Sequence, residues 1–303
     1  MGEPSGMNEI VVLRNPGAGR GRHRGSLPGV LERLGAAGRP VRVLDAASAA
    51  EAEQACRDAV AASAGALVAM GGDGTVHVAQ QAVAGTAVPL GVIPAGTGND
   101  FATSAGLPAD LYAAADAIAA ALREGRTRAL DLARITCLDG SLRWYGAVLA
   151  AGFDAIVNER GNRMRWPRGP LRYDLAVFLE LVRLRPRRYT VTVDGQTSVL
   201  DAVLLAVGNT AAYGGGMRIC PDADATDGLL DMVWAEPVSR ATLVRIKPRV
   251  YQGTHITHPK VRSLRAREIT LAAEGIVCYA DGERIGPLPV TVTAVPAAVH
   301  LLS

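Results

Sequence analysis

Through the first third of the chain, short apolar runs alternate with longer segments of helical spacing. Glu9 to Leu13 (EIVVL), Val41 to Leu44 (VRVL), Ala66 to Met70 (ALVAM) and Pro89 to Ile93 (PLGVI) have the length and branched content of buried strands. Between and after them, Ser26 to Leu34, the alanine-rich Glu51 to Ala64, Val76 to Val83 and Leu111 to Glu124 predict helices. This alternation predicts a doubly wound, mainly parallel sheet with helices on both faces. Functional loops of such a sheet lie at the carboxyl ends of its strands. Three glycine-rich segments fall there: NPGAG (Asn15, Pro16, Gly17, Ala18, Gly19), GGDGT (Gly71 to Thr75) and PAGTGNDFA (Pro94 to Ala102).

The pattern changes near Arg128. Short β-like runs then follow one another: LDLARITCL, RWYGAVLA, YTVTVDGQ, DAVLLAVGN, LLDMVWAE, EITLAAE, IVCYADGER and PVTVTAV. Strands in succession predict an antiparallel sheet or sandwich. One helix-like insertion, Leu171 to Leu184, interrupts them. The expected organisation is therefore an α/β domain over residues 1–128 and a β-rich, sandwich-like domain over 129–303.

Composition narrows the functional classes. Apolar residues make up 49% of the 303, which excludes wholesale disorder, and a formal charge of +3 does not point to nucleic acid. Cys56, Cys137, Cys220 and Cys278 are widely spaced, without the pattern of a disulfide framework or zinc site. Neither a signal-peptide pattern nor an apolar stretch of membrane-spanning length occurs, so the cytoplasm is the expected location. His255 and His258 form an H-x-x-H in β-rich sequence with no nearby carboxylate motif, poor grounds for zinc. From Arg160 to Arg188 there are nine arginines and two acids, interleaved with Trp166, Tyr173 and Phe178. Such a stretch suits either an anionic bilayer or a solvated helix with its apolar stripe on the core.

A strand that ends in glycines and opens a helix suits a phosphate. Gly71, Gly72 and Gly74 let the backbone approach the ligand, and amide groups at the helix start face the anion. Asp73 cannot welcome a phosphate directly; its use is to hold Mg²⁺ against one. Gly96, Thr97, Gly98, Asn99 and Asp100 repeat the logic at the next strand end. A lone GGDGT could still be an ordinary tight turn, and Asp281-Gly282-Glu283 alone reads as a hairpin turn.

Together, NPGAG, GGDGT and PAGTGNDFA, followed by GNTAAYGGGMRICPDADATDGLLD, GTHITHPKV and YADGERIG, closely resemble the diacylglycerol kinase catalytic family over nearly the whole chain. That resemblance implies ATP bound by Asn15–Gly19, Gly71–Thr75 and Gly96–Asp100, with Asp73 and Asp100 in the Mg²⁺–phosphate network. It implies a lipid pocket in the β-rich domain and an active site in the cleft between domains. It makes Glu283 the proton acceptor, assisted by Asp281. Asp224, Asp227 and Leu229 match a segment that holds a structural Mg²⁺ in bacterial members. The implied partner is a lipid at the inner face of the membrane, reached by peripheral attachment; a homodimer is admitted and no nucleic acid is expected.

Two departures stand out. After GGDGT the family commonly has a polar residue and then Glu; here His77 keeps the polar position, but Val78 stands in place of the acid, and Gln80 or Gln81 could compensate only in part. A threonine expected after the second strand is absent near Leu44-Asp45. Two other functions stay open: an NAD kinase, which shares GGDGT, and a non-catalytic lipid- or nucleotide-binding paralogue.

Overall fold

A computed structural model describes residues 8–15, 24–164 and 170–303. Pro16 to Gly19 of the first glycine-rich segment and Trp166 of the arginine-rich stretch lie outside them, as do the side chains of Tyr173 and Phe178. The chain forms two compact units, one of residues up to Leu132 with Val295–Ser303, the other of Ala133–Ala294.

The first unit contains β1 (Ile10–Arg14), α1 (Leu27–Gly35), β2 (Val41–Leu44), α2 (Ala49–Ala61), β3 (Ala66–Gly71), α3 (Asp73–Val83), β4 (Leu90–Pro94), α4 (Asp100–Ser104) and α5 (Leu111–Glu124). Its strands run parallel in the order β2-β1-β3-β4. Alternate side chains serve the two faces. Ile10, Val12, Val68, Met70 and Ile93 pack with Val30 and Leu34 of α1 and with Leu111, Ile118 and Leu122 of α5. The helix ends obey local chemistry. Ser48 accepts the Glu51 amide at the start of α2, while Asp110 accepts those of Tyr112 and Ala113 at the start of α5. Gly125 ends α5 in the left-handed region.

The last residues of the chain depart from the expected two-part division. Strand β16 (Val290–Leu301) ends beside β4, where Leu301 pairs with Leu90 and the Leu302 amide donates to the Leu90 carbonyl. Leu302 joins the apolar core of the first unit. Such a pairing across distant sequence leaves no local signal.

In the second unit, β12 (Val261–Ala266), β11 (Leu230–Ala235), β10 (Leu204–Gly208), β7 (Val148–Ala150), β14 (Val277–Ala280) and β15 (Glu283–Pro287) form an antiparallel sheet in that order. A second layer carries the start of β16 beside β13 (Glu268–Ala272), β8 (Arg187–Val193) and β9 (Gln196–Ala202). Strands β5 (Arg128–Cys137) and β6 (Leu142–Tyr145) pair with each other. Leu205, Val207, Met232 and Cys278 of one layer meet Val191, Ile269, Leu271 and Val292 of the other, which makes a sandwich.

Among the described residues, three helices accompany these strands where the sequence pattern predicts one. Besides α7 (Pro170–Val182) there are α6 (Phe153–Arg163) and α8 (Arg240–Gln252). The reason is their polarity. Helix α6 buries Ala155, Val157 and Gly161, whereas α8 buries Ile246 alone and contains Pro248, so neither shows a clear apolar period.

Candidate active site

Strands β3 and β4 deliver the two glycine-rich turns side by side. Gly71 pairs with Pro94, and the Ala95 amide donates to the Gly71 carbonyl at 2.8 Å. The turns then touch: a Cβ on Gly96 would lie 2.4 Å from the Gly72 Cα, so neither glycine tolerates a side chain without moving backbone. Asn99, at φ 57°, locks the second turn by accepting the Gly96 amide at 2.9 Å and donating to the Gly96 carbonyl at 3.3 Å.

This packing gathers the two predicted carboxylates. Asp73 opens α3, and its Oδ1 accepts the Phe101 amide at 3.3 Å. A Cβ on Gly98 would meet Asp73 Oδ2 at 2.8 Å and Asp100 Oδ2 at 3.6 Å. Both oxygens therefore border the small space that Gly98 leaves open. Two hard oxygen donors around it fit Mg²⁺ better than a soft metal. Thr75 is buried against Gly71, where a Cβ would meet its Oγ1 at 2.1 Å, and so braces the turn. Asn15 donates its amide to the Met70 carbonyl at 3.3 Å, which places the first strand end beside the third.

Gly98 has no left-handed constraint, so Gly98→Ala acts on space alone. The substitution is expected to preserve folding while displacing the Asp73 carboxylate, lowering catalytic efficiency on the order of a hundredfold. Steady-state kinetics with a thermal melt checks this. A fully active Gly98→Ala protein would show that the space is not used. In contrast, Gly96→Ala meets backbone and is expected to lower stability by about 1–3 kcal/mol.

On α3, His77, Gln80 and Gln81 are buried. Gln81 turns back on the helix, donating to the His77 carbonyl at 3.2 Å. Gln80 is fully enclosed, and neither of its amide atoms has a hydrogen-bond partner among the described residues. Val78 is half-buried on the same helix.

In the second unit, Asp281 and Gly282 join β14 to β15 with φ values of 51° and 84°, as a two-residue hairpin turn requires. Glu283 follows, exposed at the start of β15. Asp281 is anchored: its Oδ2 accepts the Gly146 amide at 2.8 Å, and its Oδ1 accepts those of Ala147 and Val148 at 2.9 and 3.2 Å. These amides lie where the run RWYGAVLA divides into β6 and β7. One carboxylate thus satisfies the break between two strands and fixes the hairpin that presents Glu283.

The acidic segment folds as a chain of local turns. Asp224 Oδ1 accepts the Thr226 amide at 3.0 Å, and Asp227 Oδ1 accepts that of Leu229 at 2.9 Å. The other Asp227 oxygen pairs with Arg265, whose Nε lies 3.3 Å from Asp231 Oδ2. That exposed guanidinium is shared, and burial with nearby Asp222 nevertheless pushes the Asp231 carboxyl up to about 6. The positive charge facing Asp227 is thus that of Arg265. Among the described residues, no group of three or more His, Cys, Asp or Glu could hold a metal. His255 is buried, with its Nε2 3.0 Å from the Ile219 carbonyl, and His258 accepts the Lys260 amide; the pair serves local structure.

Comparison with known proteins gives the family to which the chain is similar. Residues 9–135 match the diacylglycerol kinase catalytic domain, and residues 147–303 match the YegS C-terminal NAD kinase beta sandwich-like domain. A diacylglycerol kinase of Mycobacterium tuberculosis (strain ATCC 25618 / H37Rv) is 42% identical over 298 residues, covering 98% of this chain and 95% of the relative. The chain belongs to the diacylglycerol kinase family. A second family member, the diacylglycerol kinase of Bacillus subtilis (strain 168), is 27% identical, with 93% of this chain and 92% of the relative covered. The fold extends more widely. A diacylglycerol kinase structure from Bacillus anthracis str. Sterne aligns with TM-score 0.71 at 20% identity, covering 98% and 96% of the two chains. An NAD kinase from Archaeoglobus fulgidus in complex with ATP aligns with TM-score 0.51 at 13% identity, over 98% and 94%. Kinase chemistry is therefore common to the family, and the architecture is shared beyond it.

Sequence reasoning did not single out the backbone amides of Gly146, Ala147 and Val148. Nothing local marks them, because their acceptor arrives from the far end of the second unit. A glycine in the middle of the apolar run RWYGAVLA was the available signal.

Proposed function

We propose that the protein transfers the γ-phosphate of ATP to a hydroxyl of a diacylglycerol-like lipid, giving phosphatidic acid or a related lipid phosphate. The observation that carries this reading is the convergence of Asp73 and Asp100 on the space left by Gly98, between two glycine turns that abut at Gly72 and Gly96. The turns offer close backbone approach to phosphates, and the paired carboxylates offer a place for Mg²⁺. When bound, that cation would neutralise charge on the phosphates. A structural Mg²⁺ at Asp224, Asp227 and Leu229 would first have to displace Arg265 from Asp227.

Phosphoryl transfer consists mainly of positioning and charge neutralisation, yet the attacking hydroxyl must lose a proton. Glu283 is the proposed acceptor, and exposure leaves its carboxylate accessible to an incoming hydroxyl. Asp281 is the positioning residue: its oxygens are engaged by three amides, and it holds the turn from which Glu283 projects. The lipid acceptor implies contact with a membrane surface. No helix among the described residues is long and apolar enough to cross a membrane.

The test is transfer from γ-labelled ATP with Mg²⁺ to lipids in mixed micelles, with NAD as a parallel soluble acceptor. Labelled phosphatidic acid from diacylglycerol is expected. Label on NAD alone would reassign the acceptor, and absence of transfer to diacylglycerols, sphingoid bases and glycolipids would reject lipid phosphorylation. Nucleotide binding without turnover would favour a binding protein, the outcome that the missing acid at Val78 motivates.

A further inference from the structure

The arginine-rich stretch builds a cavity that phosphoryl transfer does not use. Its volume is about 520 Å³, and it is lined by Ile156 and Arg160 of α6, Glu180 and Val182 of α7, Arg183, Arg185 and Arg187 on the way into β8, and Arg240 of α8. Five guanidinium groups thus face one carboxylate. Glu180 is buried and pairs with Arg160. Arg183, Arg185, Arg187 and Arg240 are exposed and have no ion-pair partner among the described residues. Arg240 is also the first residue of α8, whose first turn contains no acid. A cation at the positive end of a helix is disfavoured, so its placement there is unrewarded unless an anion arrives.

We propose that this cavity binds a phosphate monoester. The free arginines supply donors and no acceptors, and their planar forks match the several oxygens of a phosphate dianion. A volume of about 520 Å³ suits one headgroup-sized ligand. Ile156 and Val182 give the ester side an apolar surface. Among the described residues, the lining has no aromatic platform of the kind that stacks nucleobases. The same group is carried by a lipid phosphate in a bilayer and by a free phosphate ester. None of the lining residues belongs to the glycine turns or the Asp281 hairpin, so the site stands or falls separately from the proposed catalysis.

The experiment uses the full chain. Glycerol 3-phosphate and inorganic phosphate are titrated by calorimetry, and phosphatidylcholine vesicles with and without phosphatidate are tested by co-sedimentation. Binding to the soluble esters would identify a free phosphate ester; binding to phosphatidate vesicles alone would identify the lipid headgroup. For whichever probe binds, Arg185→Gln with Arg187→Gln is expected to weaken binding about tenfold at an unchanged melting temperature. Arg183→Gln with Arg240→Gln should do the same from other elements. The control is Arg188→Gln, since Arg188 alternates to the opposite face of β8 and pairs with Asp201 at 3.4 Å; it should change affinity by less than about twofold. Failure of every phosphate probe to bind, an equal loss in Arg188→Gln, or preferential binding of single-stranded RNA would overturn the site.

Discussion

Glu283→Gln is expected to lower the turnover of lipid phosphorylation by about 10²–10⁴-fold while leaving ATP affinity nearly unchanged. The two side chains have almost the same size, but the amide cannot accept a proton from the attacking hydroxyl. Glu283 is exposed, and its backbone pairs with Ala280 through ladder contacts that the substitution does not touch. Folding should therefore survive, and the loss should fall on the chemical step. The measurement is a comparison of initial rates with nucleotide affinity from calorimetry. Wild-type turnover in the variant would remove Glu283 as the base, and loss of both quantities would point to misfolding.

Asp281→Ala has a different expected signature. It leaves the amides of Gly146, Ala147 and Val148 without their carboxylate acceptor, and each such charged hydrogen bond is worth about 1.5–3 kcal/mol. Alanine at a φ of 51° adds about 1–2 kcal/mol of backbone strain. Because these amides are partly buried and water replaces some contacts, a net loss of about 3–5 kcal/mol is expected, shifting the melting temperature by on the order of 10 °C. Asp281→Asn tolerates the left-handed backbone and keeps one acceptor oxygen, so it should lose roughly half as much stability. It should also retain more turnover than Glu283→Gln, since Asp281 positions the hairpin and Glu283 takes the proton. Thermal melts paired with kinetics check both points. An Asn variant as inactive as Glu283→Gln, yet fully stable, would mean that Asp281 itself takes part in the chemistry.

The glycine turns were legible because their geometry is local. Strand β3 is an apolar run that ends at Gly71, β4 ends two residues before Gly96, and a parallel sheet aligns those two ends at one edge. The helices α6 and α8 were not legible. Their buried faces are narrow, so packing rather than periodicity makes them helices. The Asp281-Gly282 turn was plain from its dipeptide, but the use of the Asp281 carboxylate was not. The same residue type would serve a solvent-facing turn equally well.

By itself, the sequence determined strands β1 to β4 and helices α1, α2, α3 and α5 of the first unit, where the glycine turns fall, and which acids accompany those turns. These depend on interactions between residues close in sequence: apolar period, glycine freedom and capping. The tertiary structure alone decided that Asp73 and Asp100 share the space at Gly98, that Asp281 fastens the break between β6 and β7, and that the chain end returns to β4. It also decided which arginines of a long basic stretch gather with Arg240 around one cavity. Such pairings join groups distant along the chain. Their partners are selected by which surfaces the core forces together, and composition and periodicity record no trace of that choice.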